Sequence, residues 1–237
     1  MMNSFSIRLV AAAIAVLPGL LRAEVSNAYF LTALENGQSQ KIVVYGTSLT
    51  ANAAWPAELQ DTLRASYGNK LRIINAAGGG KDSRWGLANL SSRVLDQRPD
   101  TVFIEFSIND ALEQSKLSVS ESMANLREMI SRIRHERPYC DVIVMVMNPP
   151  TGTALAKRSR IEDYQKGYRQ VASESSCRLI SFTAVWRDII EHQPGRWQSY
   201  APDGIHPNEK ACREVILPYM LRKIGFTPPS DSATAAL

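Results

Sequence analysis

The chain has 237 residues, enough for one domain with a real core, and its 45% hydrophobic and 21% charged residues are ordinary globular proportions. The formal net charge of +4 comes from Lys and Arg scattered through helix-like segments. With no dense basic run and no base-reading motif, a nucleic-acid partner is not expected, although attraction to an anionic polymer or surface stays open.

Residues 1–23 read as a secretory signal peptide. A short polar start carries Arg8, an apolar run over 9–21 is broken by Pro18 and Gly19, and Ala23 precedes Glu24. That run is short for a bilayer-spanning helix. Leu21 is not the small residue preferred three positions before a cut, so cleavage near Ala28 is an alternative and an uncleaved anchor is another. The expectation is an exported protein, secreted or periplasmic, without stable membrane insertion once the leader is removed.

Strand-like runs then alternate with helical patterns. Strands are predicted at 42–45, 71–74, 101–106, 142–147 and 179–182, and helices at 55–67, 85–95, 119–133, 161–172 and 207–224. Met123, Leu126, Met129, Ile130 and Ile133 share one face of the third helix, and Pro207 suits the first turn of the last. The strands are continuous apolar runs, as in strands buried on both faces. Five strand–helix repeats predict an α/β domain over 24–226, a mostly parallel five-stranded sheet with helices on both faces. Residues 227–237 read as a disordered tail.

None of the three cysteines falls in a metal-binding spacing. Cys140 and Cys177 each precede a predicted strand. If those strands are neighbours, about 4.8 Å apart, a Cys140–Cys177 disulfide is possible in an oxidising compartment.

In open parallel sheets, ligands bind beyond the carboxyl ends of the strands. The segments there are Gly46-Thr47-Ser48-Leu49-Thr50, Asn75-Ala76-Ala77-Gly78-Gly79-Gly80, Ser107-Ile108-Asn109-Asp110 and, after the fifth strand and a longer loop, Asp203-Gly204-Ile205-His206-Pro207. A serine hydroxyl needs a base beside it to attack a carbonyl. His206 can take and return the proton, and Asp203, three residues earlier, can hold the imidazole in the correct tautomer. N–H groups at Ser48 and the glycine turn, with the Asn109 amide, can stabilise an oxyanion.

These segments resemble the blocks of the SGNH/GDSL hydrolase family, in order and over about residues 41–225. Gly46-Thr47-Ser48-Leu49 resembles the Gly-Asp-Ser-Leu block. Asn75 with Gly80 resembles the second block, Asn109-Asp110 the third, and Asp203-x-x-His206 the last and most specific. The resemblance implies a flavodoxin-like three-layer α/β/α sandwich and ester hydrolysis with no metal or organic cofactor. Ser48, Asp203 and His206 would be catalytic, and Ser48, Gly80 and Asn109 would form the oxyanion hole, with Gly79 a rival to Gly80. Thr47 stands where the family usually has a non-catalytic aspartate, Ser107 and Ala77 where glycine is frequent.

Other readings stand beside this one. Thr47, Ser48 and Thr50 would also suit a flavin phosphate, and the same fold could serve as a non-catalytic glycan-binding module. Trp55 and Trp85 are expected to pack helices on the sheet, and His135 and His192 to face solvent. Trp186 and Trp197, in the final loops, are candidates for substrate contact. No lid-like apolar insertion is evident. Export and loop tryptophans favour a small-molecule or glycan ester, in particular short-acyl removal from a carbohydrate, over a lysophospholipase or thioesterase substrate.

Overall fold

The computed structural model describes residues 27–227. The signal-peptide segment and nearly all of the expected tail lie outside them. Five parallel strands form one sheet: β1 Gln40–Gly46, β2 Leu71–Asn75, β3 Thr101–Glu105, β4 Asp141–Val146 and β5 Arg178–Ser181, in the order β2-β1-β3-β4-β5. Alternation along the strands divides the core in two. Ile42, Val44, Phe103, Ile143, Met145 and Ile180 face one layer of helices, including Tyr29–Glu35, Trp55–Tyr67, Thr183–His192 and Leu217–Ile224. Val43, Tyr45, Val102, Ile104, Val142 and Val144 face the other, built on Val119–Glu136 and Ile161–Glu174. This is the expected three-layer sandwich, with strands apolar on both faces because both faces are covered.

The order reverses at β1. The chain leaves β1 for β2 on one side, then returns to place β3 on the other. Connections departing β1 and β3 therefore diverge, opening a crevice above their carboxyl ends. Gly46, the last residue of β1, pairs with Glu105, the last of β3, so the segments beginning at Thr47 and Phe106 flank it.

The structure departs from the sequence reading in several places. The helix expected over 85–95 is two short ones, Ser83–Ala88 and Leu90–Arg93. The Asp82 side chain caps the first by accepting from Trp85 N at 3.1 Å, and Asn89 ends it, its side chain donating to Trp85 O at 2.9 Å. The last helix does not start at Pro207: Asn208 is its cap and helical residues begin at Glu209. A π turn over Cys212–Ile216 then precedes Pro218, which lacks an N–H and clashes with regular helical geometry. The stretch after β5 is not loop but two helices, Thr183–His192 and Pro194–Tyr200. Trp186 and Trp197 are buried there edge to face, centroids 5.4 Å apart, and neither lines the crevice. They are core residues, a correction to the expected substrate contact. Trp55 is buried and Trp85 packs on Tyr45 and Phe106, as anticipated; His135 and His192 are exposed.

The cysteine expectation is also corrected. β4 and β5 are neighbours, but Ile143 pairs with Arg178, which puts Cys177 beside Val142 rather than Cys140. Two residues of offset displace the Cys140 and Cys177 backbone positions along the strand direction by about 6.6 Å. All three cysteines are free thiols.

Phe103 lies on the central strand, 1% exposed, its ring 6.3 Å from both Phe30 and Trp55. Phe103→Ala is expected to lower unfolding stability by about 3–5 kcal/mol, the range for truncating a well-packed aromatic. Urea denaturation followed by fluorescence measures it; a loss below about 1 kcal/mol would contradict this account of the core.

Candidate active site

Ser48 opens the short helix Ser48–Ala51 directly after β1, and the Thr47 hydroxyl caps that helix by accepting from Leu49 N at 3.2 Å. Glu105 holds the turn from below. Its carboxylate accepts from Thr47 N at 2.6 Å, from the Thr47 hydroxyl at 3.0 Å and from the Thr50 hydroxyl at 2.8 Å. The fit leaves no room for a side chain at Gly46, where a Cβ would sit 2.2 Å from the Glu105 carboxylate and 2.5 Å from its backbone oxygen. Burial pushes the Glu105 carboxyl up to about 8, against the opposing pull of its hydrogen-bond donors.

The loop after the helix Pro194–Tyr200 brings the other two residues to Ser48. Ser48 Oγ lies 2.9 Å from His206 Nε2, and His206 Nδ1 lies 2.6 Å from Asp203 Oδ2. The second Asp203 oxygen accepts from Ile205 N at 3.0 Å and His206 N at 2.8 Å. Partial burial pushes the Asp203 carboxyl up, but the hydrogen bonds from His206 and Ile205 outweigh it and hold the group below its ordinary value. It is therefore anionic at neutral pH, and its oxygen opposite Nδ1 directs the ring proton there, leaving Nε2 to accept from Ser48.

Residues after β4 fix this loop. Thr151 N donates to Gly204 O at 2.8 Å, and the buried Asn148 donates to Ile205 O at 2.9 Å. Trp197 Nε1 in turn donates to Thr151 Oγ1 at 2.9 Å. Gly204 has φ of +76°, and a Cβ there would lie 2.7 Å from Thr151 O.

The glycine turn is tied to β1 by Gly78 N donating to Gly46 O at 2.9 Å. Gly79 and Gly80 both line the crevice beside Ser48 and Asn109. Asn109 spends one amide proton on Lys81 O at 3.0 Å. Its neighbour Asp110 points away from the crevice and is buried, accepting from Ser83 N at 2.7 Å, Ser122 Oγ at 2.5 Å and Tyr168 OH at 3.1 Å. Burial pushes its carboxyl up to about 6. All the predicted site residues thus converge. Glu105, Asn148, Thr151 and Arg158 escaped the sequence reading; only Glu105 left a trace there, as an acid inside an otherwise apolar strand.

Two recesses meet at Ser48 and His206. One, about 150 Å3, is walled by Leu49, Ala53, Pro207 and Ile216. The other is a wider cleft of about 590 Å3 whose walls include Asn109, Gln114, Thr153, Lys157 and Arg158. Asn52 borders both. Among the described residues, no cluster of His, Cys, Asp and Glu is arranged to hold a metal ion.

Comparison with known proteins places this geometry. Residues 43–213 match the GDSL-like Lipase/Acylhydrolase family. The chain is 26% identical over 187 residues to thioesterase 1/protease 1/lysophospholipase L1 of Escherichia coli, covering 79% of this chain and 81% of that one. Its fold is similar to an acetylxylan esterase from Geobacillus stearothermophilus, with TM-score 0.68, 21% identity and coverage of 80% and 96%. It is also similar to a lipase/acylhydrolase from Enterococcus faecalis, with TM-score 0.66, 25% identity and coverage of 80% and 98%. The chain belongs to the GDSL-like lipase/acylhydrolase family and is a carboxylic ester hydrolase.

Two outcomes follow from the geometry. Gly204→Ala is expected to shift the Asp203–His206 loop and lower esterase turnover by roughly 100-fold, the scale of an ångström-sized misplacement; unchanged turnover would show that the loop tolerates the Cβ. The second concerns pH. Glu105 and Asp110 are raised to about 8 and about 6, so the folded state favours their protonated forms. The stability they contribute is complete at acid pH and is lost as pH rises through these values. Melting temperature is therefore expected to fall between pH 5 and 8, and Glu105→Gln to flatten that slope; identical slopes in the two proteins would contradict it.

Proposed function

We propose that this chain is an exported serine esterase that removes short acyl groups, best matched by O-acetyl groups on a carbohydrate, through Ser48, His206 and Asp203. The observation that carries the reading is the continuous relay at 2.9 and 2.6 Å from serine to imidazole to carboxylate. The same three residue types are those replaced in the catalytic mutants of the Geobacillus stearothermophilus acetylxylan esterase.

In this mechanism Ser48 Oγ attacks the ester carbonyl as His206 Nε2 takes its proton. The negative charge moves to the former carbonyl oxygen, which the Ser48 N–H, the Gly80 N–H and the second amide proton of Asn109 stabilise. Gly79 is the alternative to Gly80. The intermediate collapses, His206 gives its proton to the departing alcohol oxygen, and the acyl group remains on Ser48. Water enters, loses a proton to His206 and attacks the acyl carbon. The second collapse releases the acid and returns the proton to Ser48. Asp203 stays ionised and stabilises the imidazolium at each step.

The two recesses support the substrate assignment. The smaller recess, at about 150 Å3 the size of a cavity that holds benzene, accommodates an acetyl or butyryl group, which supports a short acyl substrate. Around the wider cleft, the side chains of Asn52, Gln114, Thr153 and Lys157 are free of hydrogen-bond partners among the described residues, a surface suited to hydroxyl groups. The Escherichia coli relative favours a second reading, a thioesterase or lysophospholipase substrate. Residues 1–23, with the charged start and apolar run of a secretory leader, support export.

Hydrolysis of p-nitrophenyl esters tests the reading. Wild type is expected to turn over the acetate, and Ser48→Ala to fall by several orders of magnitude. Rates are expected to decline from the butyrate to the octanoate and beyond. Equal rates for wild type and Ser48→Ala would remove the nucleophile assignment, and an optimum at long chains would replace the short-acyl substrate with the second reading.

A further inference from the structure

The wider cleft contains a cation that the relay does not use. Arg158 follows the short helix Gly152–Ala156, beyond β4, and is only 9% exposed. Its guanidinium donates from Nε to Ile108 O at 2.7 Å, from Nη1 to Ala154 O at 3.2 Å and from Nη2 to Asn109 Oδ1 at 3.4 Å. No carboxylate forms a salt bridge with it among the described residues. A buried charge is ordinarily paired; this one is spent on two carbonyls and one amide oxygen.

Two of those bonds fall on consecutive residues, Ile108 and Asn109, in the short helix Ser107–Asp110. We infer that Arg158 is a positioning residue for the oxyanion hole: it holds the backbone before Asn109 and, by donating to Oδ1, fixes which way the Asn109 amide faces. A planar side-chain amide can rotate by a half-turn with little change of shape, exchanging oxygen for nitrogen. A guanidinium has only donors, so it admits only the oxygen beside it. The nitrogen must then face Lys81 O and the crevice. The charge has a second effect. It draws electron density toward Oδ1 and makes Nδ2–H a stronger donor.

This inference rests on the reading of Asn109 as an oxyanion donor, and a double-mutant cycle separates the two. On p-nitrophenyl acetate, Asn109→Ala is expected to lower kcat by about 100-fold, the loss typical of one oxyanion donor. Arg158→Ala is expected to lower kcat by about tenfold, with KM within about twofold, because the interaction matters only once charge develops. In the Asn109→Ala background, removing Arg158 should change kcat by no more than about twofold, since most of what it acts through is gone. Arg158→Lys, which keeps the charge and the buried stem but not the fork, should lose less than Arg158→Ala and show the same masking. It also supplies the measurement if Arg158→Ala does not fold. A tenfold loss repeated in the Asn109→Ala background would overturn the inference, as would an effect confined to KM, which would make Arg158 a substrate-binding group. Unchanged kcat in Asn109→Ala would overturn the donor reading itself. An inactive Ser48→Ala control keeps both results distinct from the nucleophile assignment.

Discussion

The site depends on a buried carboxyl group that never meets the substrate. Glu105 ends the central strand β3, fully enclosed, and accepts from the backbone and hydroxyl of Thr47 and the hydroxyl of Thr50. Those bonds clamp the turn leaving β1 on both sides of Ser48. Without a buried acceptor, Thr47 N–H and two hydroxyls would be orphaned in a dry interior, at about 1–3 kcal/mol each. The bare Gly46 is the other half of this arrangement, because only hydrogen fits against the Glu105 side chain.

Around this clamp the polar groups of the crevice are layered. Asp110 gathers the start of Ser83–Ala88 together with Ser122 and Tyr168 from the two helices on the same face of the sheet. Asn148 and Thr151, just beyond β4, hold the Asp203–His206 loop through its backbone. Arg158, seven residues further on, reaches back to the segment after β3. Ser48 and His206, which react in the proposed mechanism, are partly exposed, whereas Asn109 and the supports Glu105, Asp110, Asn148 and Arg158 are buried. This division keeps the reacting groups accessible and gives their supports a low dielectric in which hydrogen bonds are strong.

The recesses on the two sides of Ser48 express the same principle in specificity. Leu49 and Ile216, which wall the smaller one, are core residues on one face of the sheet, so its size is set by packing and is costly to change. The wider cleft is walled by loops after β3 and β4 that carry polar, uncommitted side chains. Variation there alters what the alcohol portion of an ester meets without disturbing the core.

Much was legible in the sequence because it is written in local pattern. Continuous apolar runs, spaced by helical periodicity, specify a covered parallel sheet, and chemistry in such a sheet lies past the strand ends, where Ser48, Asn109, Asp203 and His206 fall. Helix ends were less legible: the break at Asn89 and the π turn before Pro218 reflect side-chain competition and ring sterics that periodicity does not register. Register was not legible at all. Cys140 and Cys177 precede adjacent strands, yet a two-residue offset leaves them unbonded. Trp186 and Trp197 became core because the segment after β5 is helical and turns them inward. Glu105 and Arg158 gained their roles only when strands distant in sequence were laid side by side. Pattern records which face of an element avoids water, a property of each residue and its near neighbours. Where a buried polar group points depends on the donors and acceptors that other segments bring to it, and only the tertiary structure decides that.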